Sequence, residues 1–140
     1  MESFSKIKFF FLITFLFCSK LCASEETITY QQILENPADL KLNLMYAKQE
    51  SEIGNYKQTI STLERLNIIY PENIEIKLYL LSILVQIDSP QQANTLINDI
   101  KLSNNLSSDD LETVLELEAE ISERNLDKLW SVNLDLSGGG

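Results

Sequence analysis

The sequence predicts an all-α fold: a solenoid of two to three stacked helical hairpins, followed by the start of one β-strand. Two observations favour the hairpins. Pro37 and Pro71 occupy the same point of two matching blocks, and their separation equals the period of a known helix-turn-helix repeat, about 34 residues. Small and apolar residues also recur in register within those blocks. A third observation, strict alternation of apolar and polar residues from Trp130 to Ser137, predicts the strand.

The N-terminus is predicted to be a secretory signal over residues 1–23. Lys6 and Lys8 precede an apolar run, and Ala23 stands before an acidic stretch, which is the usual order of a signal peptide. The apolar run is short for a membrane-spanning helix, which needs about 20 residues, and Lys20 interrupts it. We expect cleavage after Ala23 and export of the mature chain.

Two other interpretations of the N-terminus are less favoured. The segment could remain as an uncleaved anchor, because Leu21 is bulky for the third position before the cut. It could also be a lipoprotein signal, since Cys18 and Cys22 are present. Phe17 and Leu21 directly precede these cysteines, however, and lipidation signals have a small residue at that position.

Composition excludes several function classes for the rest of the chain. Both cysteines fall within residues 1–23 and the chain has no histidine. Disulfides, thiolate nucleophiles, imidazole bases and the usual zinc or copper ligands are therefore not expected. The formal net charge of −10 argues against nucleic acid or anionic lipid as a partner, because either polyanion would be repelled. We expect no enzymatic activity, no cofactor and no metal.

Six helical segments follow the signal, and the first is a short capping turn or helix before Pro37. The predicted segments are 29–35, 38–51, 56–69, 72–87, 91–102 and 109–124. Leu40, Leu44 and Ala47 share one face of segment 38–51. Gly54 separates the two helices of the first hairpin.

The second hairpin has an unusual first helix. Segment 72–87 is apolar on nearly all sides, which is typical of a helix buried among neighbours. It therefore belongs in the middle of a stack, and Glu75, Lys77 and Asp88 leave it too short to cross a membrane. In segment 91–102, Ala93 permits close helix contact.

The third hairpin is incomplete. Ser107 followed by Asp110 is a plausible helix start, because both side chains can accept hydrogen bonds from free backbone amides. Segment 109–124 then has apolar residues on one side and acidic residues on the other. No complete second helix follows, because Asn125 leads into the predicted strand.

Residues 126–140 carry the strand and end in three glycines. Alternation that begins with an aromatic residue is typical of an outer-membrane β-barrel strand, with one face in lipid and the other in a wet lumen. A lone strand needs pairing partners, so we expect a fragment that stops inside a larger protein. The other interpretation is a tail that pairs with nothing.

Ala47, Gly54, Tyr56, Leu63 and Pro71 match the positions that define the tetratricopeptide repeat. The chain resembles that family over about residues 36–104, with a degenerate third start to Arg124, and we expect the helical repeat domain to occupy residues 24–125. Ala93 and Ile97 match in the second block. Three residues depart from the pattern. They are Asn43 where a large aromatic is usual, Thr59 where alanine is usual, and Asp88 where glycine is usual.

A signal, helical repeats and a closing strand together resemble the tetratricopeptide-plus-barrel proteins of bacterial outer membranes, including the surface lipoprotein assembly modifier family. The resemblance implies a periplasmic protein-protein interaction module, the front part of an outer-membrane protein that assists assembly or export of a protein client. The alternative is a stand-alone secreted or periplasmic scaffold without a barrel.

The same resemblance implies a binding surface on the concave face, which the first helix of each hairpin lines. The residues of this chain at the groove-lining positions of that family are Lys41, Leu44, Lys48, Leu78, Ser82, Gln86, Glu112 and Glu116. For Lys41 and Lys48, ordinary solvated charge is the simpler explanation. The glutamates of segment 109–124 are expected to form a wet helix face, because a hard-cation site needs oxygens that converge from loops.

Overall fold

The structure is a computed structural model that describes residues 27–137, with side chains described as far as residue 128. The predicted signal, residues 1–23, lies outside the described residues. The regular structure is entirely helical within the described residues, as the sequence predicted for residues 24–125. The helices are α1 (Tyr30–Glu35), α2 (Leu40–Glu52), α3 (Tyr56–Ile69), α4 (Ile74–Gln86), α5 (Pro90–Lys101) and α6 (Ser108–Ser137).

Consecutive helices pack against one another as hairpins. Helices α2 and α3 form the first hairpin and α4 and α5 the second, while α6 contacts both α4 and α5. Helix α1 packs on α2. Helix α4 therefore has neighbours on three sides, which confirms that its nearly continuous apolar surface marks the middle of the stack.

The repeat is visible in the corners of the two hairpins. Gly54 has φ +77° and Asp88, at the equivalent position, has φ +58°, both in the left-handed region. The amide that follows each of them closes the preceding helix in the same way. Asn55 N–H donates to the Glu50 carbonyl at 2.8 Å, and Ser89 N–H donates to the Leu84 carbonyl at 2.9 Å. This bond is typical of a Schellman helix end.

The helix starts repeat with the same period. Each first helix is capped by a side-chain oxygen that accepts from the backbone amide three positions further on, as N-caps do. The pairs are Asp39 with Leu42 at 2.9 Å, Asn73 with Ile76 at 3.2 Å, and Ser107 with Asp110 at 3.1 Å. The predicted helix start at Ser107 is confirmed, and the helices α2, α4 and α6 thus begin one repeat apart.

The repeat also extends backwards to α1. The amide of Asn36 donates to the Gln32 carbonyl at 3.2 Å, and at the equivalent place one repeat later Tyr70 donates to the Leu66 carbonyl at 2.8 Å. Helix α1 therefore ends as α3 ends. It stands where the second helix of a preceding hairpin would stand and covers α2, burying Ile33.

The main core lies where the hairpins meet. Leu63 from α3, Leu81 from α4, Ile97 and Ile100 from α5, and Val114 from α6 are fully buried there. Thr59 is buried as well. Its hydroxyl lies 3.3 Å from the Ala47 carbonyl and 3.2 Å from the Asn55 carbonyl, so the extra polar group is satisfied between the two helices.

The C-terminal strand prediction is wrong as far as Ser137, because α6 continues through residues 126–137. No proline or glycine interrupts the sequence from Ser108 to Ser137. A helix bonds its own backbone, whereas a strand needs a partner, and residues 27–137 contain none. The glycines at 138–140 lie outside the described residues. Within the described part, no helix has the length and apolarity that a membrane span requires.

Candidate functional site

The predicted binding residues lie on the first helices, α2, α4 and α6, and six of them fall into two rows. Leu44, Leu78 and Glu112 follow one another at intervals of one repeat and so share one position of it. The other row is Lys48, Ser82 and Glu116. We call the surface formed by these positions, together with Lys41 and Gln86, the first-helix surface. The two rows bring one residue from each hairpin to equivalent places.

The basic end of the first-helix surface is on α2. Lys41 and Lys48 are both exposed, and Lys48 Nζ lies 3.9 Å from the Glu52 carboxylate. The side chains of that pair are 73% and 60% exposed. A pair so open to water contributes little to stability, so Lys48 can exchange Glu52 for another acidic group at small cost.

The middle of the first-helix surface is partly used by the fold itself. Leu44 and Leu78 are half-buried and pack against the main core. The Ser82 hydroxyl donates to the Tyr79 carbonyl at 2.7 Å, and Gln86 Nε2 donates to the Tyr56 hydroxyl at 2.7 Å. These four residues therefore support the surface, while charged residues at its two ends are left exposed.

The acidic end is on α6, where Glu112 and Glu116 are exposed. Two neighbouring glutamates have partners and are not simply solvated. Glu118 pairs with Lys101 of α5 at 2.7 Å, and Glu120 pairs with Arg124 at 2.5 Å. Among the described residues, no group of three acidic, histidine or cysteine side chains converges to hold a metal ion.

An open groove on the other side of the stack was not predicted. It consists of two adjoining depressions of about 490 and 460 Å³ between α3 and α5, which share Glu64 and Gln92. Leu80 and Leu84 of α4 form part of its floor. The apolarity of α4 on all sides was a usable signal, because it leaves apolar residues facing the gap between the two second helices. None of the eight predicted residues lines this groove.

Two polar pairs inside the hairpins occupy one position of the repeat. Asn43 accepts a hydrogen bond from Arg65 of α3 and donates to the carbonyls of Asn36 at 2.9 Å and Asp39 at 2.6 Å. One repeat later, buried Lys77 makes an ion pair with Asp99 of α5 at 2.7 Å. Both pairs join the first helix of a hairpin to the second, so they serve the fold.

The C-terminal end of α4 is held by basic side chains of α6. Arg124 Nη1 donates to the Val85 carbonyl at 2.8 Å, and Lys128 pairs with Asp88. Cations at a helix C-terminus satisfy free carbonyls and interact favourably with the helix dipole. Asp88 thus does more than turn the chain, because its carboxylate also ties the second hairpin to α6.

One buried tyrosine has an altered acidity. Burial raises the pKa of Tyr46 above its usual value of 10.0, and the nearby carboxylate of Glu50 raises the pKa further. A hydrogen bond from Gln58 opposes this shift. Tyr46 packs with Ile28 and Ile33 in the small cluster under α1, so its hydroxyl is part of the fold and not of an exposed site.

Comparisons with known proteins add no relative to this picture. No protein-family model matches the chain, and no curated protein or solved structure is significantly similar to it.

Proposed function

We propose that the chain is an exported helical-repeat scaffold that binds a segment of a protein client on the first-helix surface. The observation that carries the proposal is the repetition itself. Three equivalent helix starts, each one repeat after the last, set equivalent positions of α2, α4 and α6 in rows. Successive equivalent side chains suit an extended or helical polypeptide, which offers its own side chains at regular spacing.

The charges of the first-helix surface favour one direction of the client segment across it. Lys41 and Lys48 are exposed at the α2 end, and Glu112 and Glu116 are exposed at the α6 end. Complementary potentials steer a partner and fix its register. A client segment that is acidic at one end and basic at the other would lie across the surface in one direction.

The proposed compartment is the periplasm or the outside of the cell, and it is supported by the signal-like segment before Ala23. Assistance to the assembly or export of the client is the role that the resemblance implies. The barrel version of the prediction relied on a strand at residues 126–140, and α6 occupies those positions as far as Ser137. The proposal is therefore confined to the interaction module.

The test is a charge reversal at one end of the surface. The full chain is purified with its bound proteins from the cells that produce it, and the amount of each bound protein is measured. We expect Lys41→Glu together with Lys48→Glu to reduce recovery of the client at least fivefold. Lys57→Glu makes the same change of charge per residue on α3, at the groove between α3 and α5.

The control separates the two surfaces. If Lys57→Glu leaves recovery unchanged, the loss in the double variant belongs to the first-helix surface. Recovery that is unaffected by Lys41→Glu and Lys48→Glu but lost with Lys57→Glu would move the binding site to the groove and contradict the proposal.

A further inference from the structure

Helix α6 has an apolar strip on the face turned away from the stack. Leu111, Leu115 and Leu126 are 39%, 50% and 55% exposed, and Ala119 is exposed between them. Successive steps of four, four and seven positions keep these four side chains on one side of a helix. We call them the α6 strip.

The first two hairpins show what covers the equivalent face. Leu115 stands one repeat after Leu81 and two repeats after Ala47, so all three share one position. Ala47 and Leu81 are both fully buried, because α3 packs on α2 and α5 packs on α4. Within residues 27–137 no helix packs on α6 in the corresponding way. The repeat therefore indicates a helix as the missing cover.

The charges beside the strip indicate what kind of helix fits. Glu112, Glu116 and Glu123 are exposed along one edge of the α6 strip. A second copy of this chain would bring the same acidic edge and the same net charge of −10 to the contact, which disfavours self-association through the strip. A helix with lysine or arginine along one edge would instead be attracted.

We propose that the α6 strip binds an amphipathic helix of a partner protein, one with an apolar face and a basic edge, which packs on α6 as α3 packs on α2. The inference rests on the proposed scaffold function. The strip adjoins the first-helix surface, because Glu112 and Glu116 lie at the edge of both, but its leucine anchors are separate from Lys41 and Lys48. Leucine anchors in such a contact supply a measurable part of the affinity, because burying apolar surface contributes about 25 cal/mol for every Å².

The experiment uses the full chain and two synthetic probes. Each probe is a fluorescent helix of about 15 residues, a length at which an isolated helix begins to be stable in water. Both carry leucines on one face, and the flanking positions are all lysine in one probe and all glutamate in the other. Binding is followed by fluorescence anisotropy. We expect the lysine probe to bind at least tenfold more tightly than the glutamate probe, and Leu115→Ala to weaken its binding at least fivefold.

Matched controls keep the result specific. Ile68→Ala removes an apolar side chain of α3 that is 81% exposed, and it should leave probe binding unchanged. Circular dichroism checks that all variants keep their helix content, and Leu126→Ala provides a second position on the strip. Sedimentation shows whether the chain self-associates.

Three outcomes would overturn the inference. They are equal affinity for the two probes, lysine-probe binding that survives both strip substitutions, and a dimer that Leu115→Ala dissociates. If the lysine probe does not bind through the α6 strip while client recovery still depends on Lys41 and Lys48, only this inference is lost. If client recovery is independent of the two lysines while the probe binds through the strip, the proposed first-helix surface is lost instead.

Discussion

Asp88 shows how a residue can take over a backbone position that suits glycine better. Its φ of +58° is sterically unfavourable for a residue with a β-carbon. Gly54 occupies the equivalent position with φ +77°. Asp88 is tolerated because aspartate enters this region more readily than most residues and because its carboxylate pairs with Lys128. The sequence revealed the equivalence of the two positions, but not the ion pair, which joins side chains far apart along the chain.

At Gly54 the cost of a side chain should come from the backbone alone. A β-carbon built there meets no heavy atom within 4 Å, so steric contact with neighbours is not a factor. Gly54→Ala should lower the free energy of unfolding by about 1 kcal/mol, measured by urea denaturation. Gly54→Asn should cost clearly less, because asparagine tolerates the left-handed region. Equal stability of wild type and the alanine variant would contradict the assignment.

Tyr46 gives the fold a dependence on alkaline pH. Burial raises the pKa of Tyr46 in the folded state above its unfolded value, so the contribution of this group is fully present below about pH 10 and is lost as pH rises through the folded pKa. We expect the wild type to lose stability more steeply than Tyr46→Phe above pH 10. Lysines titrate in the same range in both proteins, so the difference between the two curves is the quantity to measure. Parallel curves would show that Tyr46 is not the group responsible.

At the scale of elements, the sequence predicted the helices well where caps and breakers are local. Segment 56–69 has the observed limits of α3, and α2 starts at Leu40 because Asp39 is its cap. Helix α5 starts at Pro90 because proline suits the first turn of a helix. Helix α6 has a side-chain cap at its start, as α2 has, but no proline or glycine ends the helix before Ser137.

The alternation from Trp130 to Ser137 misled the prediction for a physical reason. A period of two describes only which side chains could share a face of a strand. It says nothing about a partner for the strand's backbone, and residues 27–137 supply none. The first-helix surface was inferred from positions in the repeat. The groove between α3 and α5 was missed because it depends on how far apart two second helices lie, which is a tertiary distance.

The start of α6 provides a test at this scale. Ser107 Oγ accepts from Asp110 N–H at 3.1 Å, and the Asp110 carboxylate accepts in return from Ser107 N–H at 3.2 Å. Ser107→Ala should lower the free energy of unfolding by about 1 kcal/mol, measured by thermal or urea denaturation. Ser108→Ala removes a neighbouring exposed hydroxyl and should change it little. A larger effect at Ser108 than at Ser107 would contradict the cap.

The whole molecule is a stack in which each hairpin contacts its neighbours, so stability should depend most on the central helix. Leu81 of α4 is fully buried in the main core, and Ile33 of α1 is fully buried in the small outer cluster. Leu81→Ala should lower the free energy of unfolding by about 3 kcal/mol and loosen all helices together. Ile33→Ala should raise amide hydrogen exchange mainly in α1 and the start of α2. A purely local effect of Leu81→Ala would contradict the stack.

The proposed function requires that a client lies across the first helices of successive hairpins. Site-specific photo-crosslinking in the producing cells tests it most directly, with the reactive group placed at Lys41 or Lys48 on the first-helix surface and at Ser61 or Gln92 in the groove between α3 and α5. We expect one protein to be crosslinked from both lysine positions and not from the groove positions. Crosslinks to that protein from Ser61 and Gln92 alone would contradict the claim.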